Sequence, residues 1–316
     1  MSDGKYGKHY SVLKKDILDL FKKHSCPDAS SSVYCDLTFG GGGHSCAILE
    51  EFPSAYLHAF DQDQEALANG LEKLNSLGYS DRAMIHHSNF ENFSEVIDSD
   101  TQFDGVLLDA GVSSHQFDSG GRGFSFRFEA ELDMRMDNNQ SIKPASFYIN
   151  SLDEPELLKI LREYGEEKFA RNIVTEIMQR RRLGEISTTK QLEDICFHSY
   201  PKKLRHGKIH PATKTFQALR IHVNRELEVL TNVIGQVIPQ LKIGGLFAVI
   251  SFHSLEDRIV KHGFKELLNG DLPVEILTKK PVLPSEDEIF ENSRSRSAKL
   301  RVIKRLEEWP RKNKYR

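Results

Sequence analysis

Four consecutive glycines, Gly40 to Gly43, lie between a short β-prone run, Val33-Tyr34-Cys35, and a helix-compatible segment, Ser45 to Glu51. A carboxylate, Asp36, stands where the run ends. This layout of strand, glycine loop and helix constrains the chain more than any other feature. Glycine tolerates positive φ and lets backbone approach a ligand closely. A helix start offers N–H groups that have no acceptor within the helix. A bare turn from strand to helix needs one glycine. Four in a row point to a loop around a bound group, as in nucleotide-type cofactor sites of α/β proteins.

The chain downstream repeats the same alternation. Tyr56 to Phe60 is a second β-prone run, and it ends at Asp61. An acidic residue at this position, about 20 residues past a glycine loop, can accept hydrogen bonds from both hydroxyls of a ribose. Its other role would be a helix N-cap, which Asp63 can fill equally well. Gln64 to Leu74 has a helical pattern, and Ala83 to His86 forms a third strand. The loop Ser88-Asn89-Phe90 then offers a ring that either flanks an adenine or joins the core. Asp104 to Leu108 is apolar enough for a strand buried on both faces, and it ends at Asp109. The polar, glycine-rich AGVSSHQFDSGGRGFSF follows at the carboxyl edge, where open α/β sheets bind ligands.

From about residue 118 to 215 the alternation stops. Helical patterns cover 153–182 and 188–199, and the segment also holds Arg180-Arg181-Arg182 and the basic stretch PKKLRHGKIHPATK, residues 201–214. Basic residues mixed with glycine and proline can contact phosphate or remain a solvated loop. The alternation resumes with one long helix from Phe216 to Leu241, broken at Gly244-Gly245. A fifth strand, Leu246 to Ile250, leads into Ser251-Phe252-His253-Ser254. A helix over 255–268 and a strand pair at 274–277 and 300–303 close the chain. Before all of this, residues 9–23 have the spacing of an amphipathic helix.

Composition excludes several classes. The 316 residues are 39% hydrophobic and 28% charged, with no apolar run long enough to span a bilayer and no apolar signal core at the N-terminus. A cytoplasmic protein is the expectation. The cysteines, Cys26, Cys35, Cys46 and Cys196, form no CxxC pair, so neither zinc nor a disulfide framework is expected. The net charge of −3 hides an asymmetry. Residues 293–316 carry ten Lys/Arg against two Glu, a basic tail suited to a polyanion.

Several runs are more particular than a generic α/β chain requires: DLTFGGGGHS (36–45), DGVLLDAGVSSHQFD (104–118), RGFSF (122–126), LDMRMD (132–137), HPATKTFQALRIHVNREL (210–227), VISFHSLEDRIVK (249–261) and NSRSRSAKLRV (292–302). Together, over about residues 9–305, they resemble the bacterial ribosomal RNA small-subunit methyltransferase H (MraW) family. The resemblance implies a class I, Rossmann-like α/β methyltransferase fold using S-adenosylmethionine, with an inserted helical domain. The core would be residues 1–117 and 216–316, and the insertion, residues 118–215, would recognise RNA. The implied reaction is methylation of the exocyclic N4 of a cytosine in the decoding region of 16S rRNA. The implied partner is that RNA within the small ribosomal subunit; no membrane is involved, and a homodimer is an open option. Carried over by motif, Gly42, Gly43 and His44 would lie against the methionine part and the ribose, Asp61 would hold the ribose hydroxyls, and Phe90 would pack beside adenine. Asp109 and Gln116 would complete the pocket near the reacting centre. The chain departs from the family pattern at His9-Tyr10-Ser11-Val12, at Ala110 and at Glu131.

No catalytic proton acceptor stands out. Asp109 ends a central strand but can be taken up by the cofactor. Asp133 and Asp137 flank Arg135, and the three can equally form a local ion-pair cluster. His253 follows the fifth strand, where it serves either the substrate pocket or a hydrogen-bonded structural role. Phe124, Phe126 and Phe128 can present a stacking face or fill the core. Three other readings are weighed. A nucleotide-dependent oxidoreductase would carry GxGxxG, whereas here Gly40-x-Gly42 is followed by Ser45 and Gly41-x-Gly43 by Cys46. A non-catalytic RNA-binding protein is disfavoured by the intact loop, Asp61 and Asp109. DNA amino-methyltransferases usually have Pro-Pro-aromatic where this chain has Ala110-Gly111-Val112.

Overall fold

The computed structural model describes residues 11–24, 32–111, 121–137 and 141–307. The chain divides into two compact units, residues 1–111 with 227–316, and residues 112–226. The second unit begins earlier and ends later than the expected 118–215, because the helix over 213–224 clusters with it.

The first unit is a seven-stranded sheet of β1 (Val33–Asp36), β2 (Tyr56–Asp61), β3 (Ala83–His87), β4 (Phe103–Asp109), β5 (Leu241–Ser251), β6 (Val274–Ile276) and β7 (Lys299–Arg305). Their order is β3-β2-β1-β4-β5-β7-β6. The pairs β3–β2, β2–β1, β1–β4 and β4–β5 are parallel, and β7 pairs antiparallel with both β5 and β6. This is the class I methyltransferase arrangement. Strand order reverses at β1/β4, because the chain leaves β1 toward β2 and β3 and then returns to place β4 on the other side. α1 (Lys14–His24) precedes β1, and the crossover helices in this unit include α2 (Gly43–Glu51), α3 (Gln64–Ser76) and the short α4 (Phe93–Val96). Two apolar clusters cover the faces of the sheet, one around Phe21, Tyr34, Leu57 and Leu300, the other around Phe60, Phe103, Val106 and Phe247. Gly105 lets one of these form, since a Cβ there would sit 2.9 Å from both the Phe21 and Tyr34 rings.

The second unit holds α5 (Ala145–Ser151), α6 (Glu154–Glu163), α7 (Ala170–Arg180), α8 (Thr189–Ser199) and α9 (Thr213–Asn224). It has its own core, built from Leu157, Leu161, Ile173, Ile177, Leu192, Phe216 and Leu219 among others. Capping boxes at Asp153 and Thr188 start α6 and α8.

Two sequence expectations change. The long helix over 216–241 is two helices, α9 and α10 (Glu226–Val237), followed by a 3₁₀ turn. Arg225, in the left-handed region at φ 52°, separates them. The break is local, and hydrophobic periodicity continues across it, which hides it from pattern reading. Gly244-Gly245 does not end an element but lies inside β5. The ladder slips there, pairing Phe103 with Leu241 and then Gly105 with Leu246. A Cβ on Gly245 would meet the Phe103 carbonyl at 2.7 Å, so glycine accommodates the bulge. The remaining helices and strands are α11 (Ser254–Leu267) and α12 (Glu286–Glu291), with β6 and β7 close to their expected places. No helix among the described residues is long and apolar enough to cross a membrane. Cys35, Cys46 and Cys196 are buried thiols.

Candidate active site

Three adjacent parallel strands, β2, β1 and β4, each end in an aspartate: Asp61, Asp36 and Asp109. Parallel strands share one carboxyl edge, so the three carboxylates stand in a row there, at the point where strand order reverses. That is where open α/β sheets bind ligands.

Backbone hydrogen bonds fix the glycine loop over this edge. Leu37 donates to the Leu107 carbonyl and Phe39 to the Phe60 carbonyl, each at 2.8 Å, so the loop is tied to both neighbouring strands. Gly40 N–H then donates to Asp61 Oδ2 at 2.7 Å. Gly42 adopts φ 69° and starts α2 with no side-chain cap, which leaves the first turn's N–H groups without a side-chain acceptor. Glycine is required at this point twice over, since an added Cβ would also press on the Phe39 ring at 3.3 Å. Gly43 has a different reason: its Cβ would strike Ser11 Oγ at 2.2 Å.

Asp61 accepts a second bond, from Asp63 N–H at 2.8 Å, through Oδ1. Asp63 itself caps α3 by accepting from Glu65 N–H. The cap and the edge carboxylate are thus separate residues, and Asp61 keeps unfilled lone pairs for hydroxyl donors. Desolvation raises the Asp61 carboxyl to about 6, against the lowering effect of the two amide bonds. Asp36 is 1% exposed. Burial raises its carboxyl above the usual range, countered by His44, by the Ser45 hydroxyl at 2.6 Å and by the Thr38 amide at 3.1 Å, while Asp109 adds to the rise.

Asp109 is the least satisfied of the three. Its backbone N–H donates to Thr38 Oγ1 at 2.8 Å, which fixes its position. Among the described residues its side-chain Oδ1 is buried with no hydrogen-bond partner, and so is Nε2 of His44. The nearer approach of the two side chains, His44 Nε2 to Asp109 Oδ2, is 3.6 Å, too long for a hydrogen bond. Buried polar groups are normally paired, so two orphans side by side mark the place of an absent polar or charged partner. S-adenosylmethionine fits this donor set: its ribose hydroxyls suit Asp61, and its cationic ammonium and sulfonium groups suit a row of carboxylates.

The loop after β3, expected to flank adenine, is held by side-chain contacts. Asn89 and Gln62 side chains bond each other at 2.8 Å. Phe90, half-buried just past β3, packs against the apolar cluster of Phe60 and Phe93. Gln62, Asn89, Asp36 and Thr38 were absent from the candidates read off the sequence. Asp36 and Thr38 lie in DLTFGGGGHS, and Asn89 in the Ser88-Asn89-Phe90 loop, whereas Gln62 carried no signal. Gln116 lies outside the described residues.

The other acid–base candidates have local partners. Arg135 clasps Asp133 with Nε at 2.6 Å and a second nitrogen at 2.8 Å. In LDMRMD, Leu132, Met134 and Met136 are buried while Asp133, Arg135 and Asp137 are partly exposed. The motif therefore anchors a loop by its apolar half and braces it with an ion pair. His253 is the N-cap of α11: Nδ1 accepts from Glu256 N–H, and the Glu256 carboxylate accepts from Phe252 and His253 N–H. This reciprocal cap uses Nδ1; Nε2 is buried with no hydrogen-bond partner among the described residues, 3.0 Å from Glu256 Oε1. The phenylalanines of RGFSFRF form no strand. Phe124 is buried, Phe126 stacks on His210 at 4.6 Å between ring centroids, and Phe128 is exposed.

The chain is 46% identical over 300 residues to the ribosomal RNA small subunit methyltransferase H of Persephonella marina, covering 94% of this chain and 99% of that one. It is 45% identical over 294 residues to the protein of the same name from Picosynechococcus sp., covering 93% and 95%. Among solved structures, an rRNA methylase from Streptococcus thermophilus aligns over 92% of this chain and 95% of that one, with a TM-score of 0.44 and 10% identity. The profile of the MraW methylase family matches residues 6–306, and with its edge carboxylates and glycine loop the chain belongs to that S-adenosylmethionine-dependent family.

Proposed function

We propose that the chain transfers a methyl group to the exocyclic N4 of a cytidine in the decoding region of 16S rRNA, within the small ribosomal subunit. Family membership supports the reaction class and the RNA. The observation that carries the site is the buried, unpartnered Oδ1 of Asp109 beside the unpartnered Nε2 of His44.

S-adenosylmethionine supplies an electrophilic methyl carbon on a sulfonium. Asp61 holds the ribose hydroxyls, and Phe90, with Asn89 and Gln62, flanks the adenine. Gly42, Gly43 and His44 line the methionine end, with Gln116 assigned there by its motif. The nitrogen to be methylated is a weak nucleophile because its lone pair is delocalised into the ring. An acceptor for one of its protons restores electron density and stabilises the charge that develops. Asp109 is the carboxylate placed to do this or to hold the cofactor's ammonium. Asp133 and Asp137, which flank Arg135, and His253 are the other candidates; Asp133 holds Arg135 and His253 caps α11. Holding nucleophile, methyl carbon and sulfur in line provides most of the acceleration, and no covalent enzyme–RNA adduct forms. The base must leave its stack to reach the site, and residues 118–215 recognise the surrounding RNA.

The test is a labelled methyl-transfer assay on small subunits with nucleoside analysis of the product. N4-methylcytidine, or its 2′-O-methylated form, is expected; any other methylated nucleoside overturns the assignment. A stable adduct with RNA containing a fluorinated cytosine would overturn the non-covalent mechanism.

A further inference from the structure

The second unit contains two basic segments, and the structure separates them. In the Arg180-Arg181-Arg182 run, Arg180 pairs with Glu176 and Asp194 at 2.9 and 3.1 Å. Arg181 donates to the Ile149 and Leu152 carbonyls. Two of these three arginines are therefore spent on the fold.

Residues 201–214 differ. They include Lys202, Lys203, Arg205, Lys208 and Lys214, with His206 and His210, and no acidic residue. Lys202, Lys203, His206 and Lys208 are exposed, and none of them is ion-paired among the described residues. Between them stand Leu204 and Ile209, large apolar side chains that are 43% and 57% exposed. Neighbouring acids offer little competition. Glu193 faces Lys190 and His210, and Asp194 faces Arg180 and His198.

The segment is held firmly although it is a loop. Arg205 donates to the Tyr200 and His198 carbonyls at 3.0 Å each, and its guanidinium lies over the Phe197 ring at 5.3 Å. His210 stacks between Phe126 and Phe197, at 4.6 and 6.1 Å. Leu204 N–H closes a turn onto the Pro201 carbonyl. One half-buried aromatic and histidine stack thus presents three lysines, none ion-paired among the described residues, and two apolar side chains on a fixed frame. Fixed cations spaced around exposed apolar groups match a single strand or loop of RNA, whose phosphates take the lysines and whose bases cover the apolar side chains. The alternative, a solvated loop, would not need the frame.

We propose that the 201–210 loop, standing on the Phe126–His210–Phe197–Arg205 stack, is the RNA-docking face of the second unit, with Lys202, Lys203 and Lys208 contacting phosphates. This rests on the reading of the substrate as small-subunit rRNA and assigns part of its binding to particular residues.

The test uses the full chain with Lys202, Lys203 and Lys208 all changed to Gln. A control changes Lys159, Arg162 and Lys168, exposed on α6 and the turn after it, to Gln as well. Binding to a protein-free decoding-region RNA is measured across salt concentrations, beside calorimetric titration with S-adenosylmethionine. The loop variant should bind this RNA about tenfold more weakly at low salt, and its slope of log K against log[salt] should flatten by roughly 2, since each single-strand phosphate contact contributes about 0.7. Its cofactor affinity should equal that of the unmodified chain, and the control should match the unmodified chain throughout. An unchanged slope in the loop variant, or equal losses in loop variant and control, overturns the proposal. Unchanged binding to free RNA with a loss only on whole subunits would assign the face to a ribosomal protein and overturn it as well. Failure of the unmodified chain to bind or methylate rRNA would instead overturn the functional reading on which it rests.

Discussion

Leaving a carboxylate oxygen buried and unbonded costs about 1–3 kcal/mol or more unless a ligand meets it, and Asp109 bears that cost with Oδ1. Asp109→Asn, which keeps the shape and removes the charge, should weaken cofactor binding or turnover roughly 10- to 100-fold, the worth of a charged hydrogen bond. Calorimetry and single-turnover methylation together show which step is affected. Unchanged values in both would remove Asp109 from the site. Asp61 makes a prediction in pH. Its carboxyl is raised from 3.8 to about 6 by burial, so the folded chain holds more protons than the unfolded chain between those values. This contribution to the stability of the cofactor-free protein is present below pH about 4 and lost as pH rises through about 6. Ribose hydroxyls donate to the ionised form, so cofactor affinity should run the other way, full above pH about 6 and falling below it. Asp61→Asn should flatten that profile in a pH series of titrations. The spacing from the glycine loop was enough to single out Asp61. The orphaned state of Asp109 and His44 was not legible, because it depends on which atoms fail to find partners in three dimensions.

At the scale of elements, the glycine loop is built from behind as well as from within. Phe39 sits at its start, 2% exposed, and packs on Gly70 of α3, where an added Cβ would meet the ring at 2.2 Å. Gly70→Ala should therefore destabilise the fold by about 1–3 kcal/mol through overpacking and weaken cofactor binding in parallel, both measurable by urea unfolding and titration. His253 gives a contrasting case. Its imidazole caps α11, so His253→Ala should cost about 1 kcal/mol in urea unfolding, and His253→Asn, a good N-cap, should restore most of it. Loss of methylation in both variants with stability intact would return His253 to the substrate pocket. Sequence reading placed the strands and most helices because their periodicity and glycine signals are local. It ran α9 and α10 together, since one left-handed residue at Arg225 leaves the apolar pattern on either side undisturbed. It took Gly244-Gly245 for a helix breaker, since a bulge is defined by the partner strand.

The whole molecule consists of two units with separate cores, and this makes stability and chemistry separable. Leu161, fully buried among the helices of the second unit, should cost about 2–5 kcal/mol when changed to Ala. Methylation of rRNA should fall with it, while affinity for S-adenosylmethionine in the first unit should stay near that of the unmodified chain. Parallel loss of both would show that the units do not act separately. The sequence by itself determined the α/β class, the glycine loop between β1 and α2, the carboxylate that ends β2 and the family, because those depend on residue type at short spacing along the chain. It also located a helical interruption, though with its far boundary short of α9. Only the tertiary structure decided which charges are available. It set Asp36, Asp61 and Asp109 in one row by pairing β2, β1 and β4 side by side, and spent Arg180 and Arg181 on the fold while leaving Lys202, Lys203 and Lys208 exposed. The physical reason is that a side chain's chemistry depends on its partners and its solvation, and for most of these groups the partners come from distant parts of the chain.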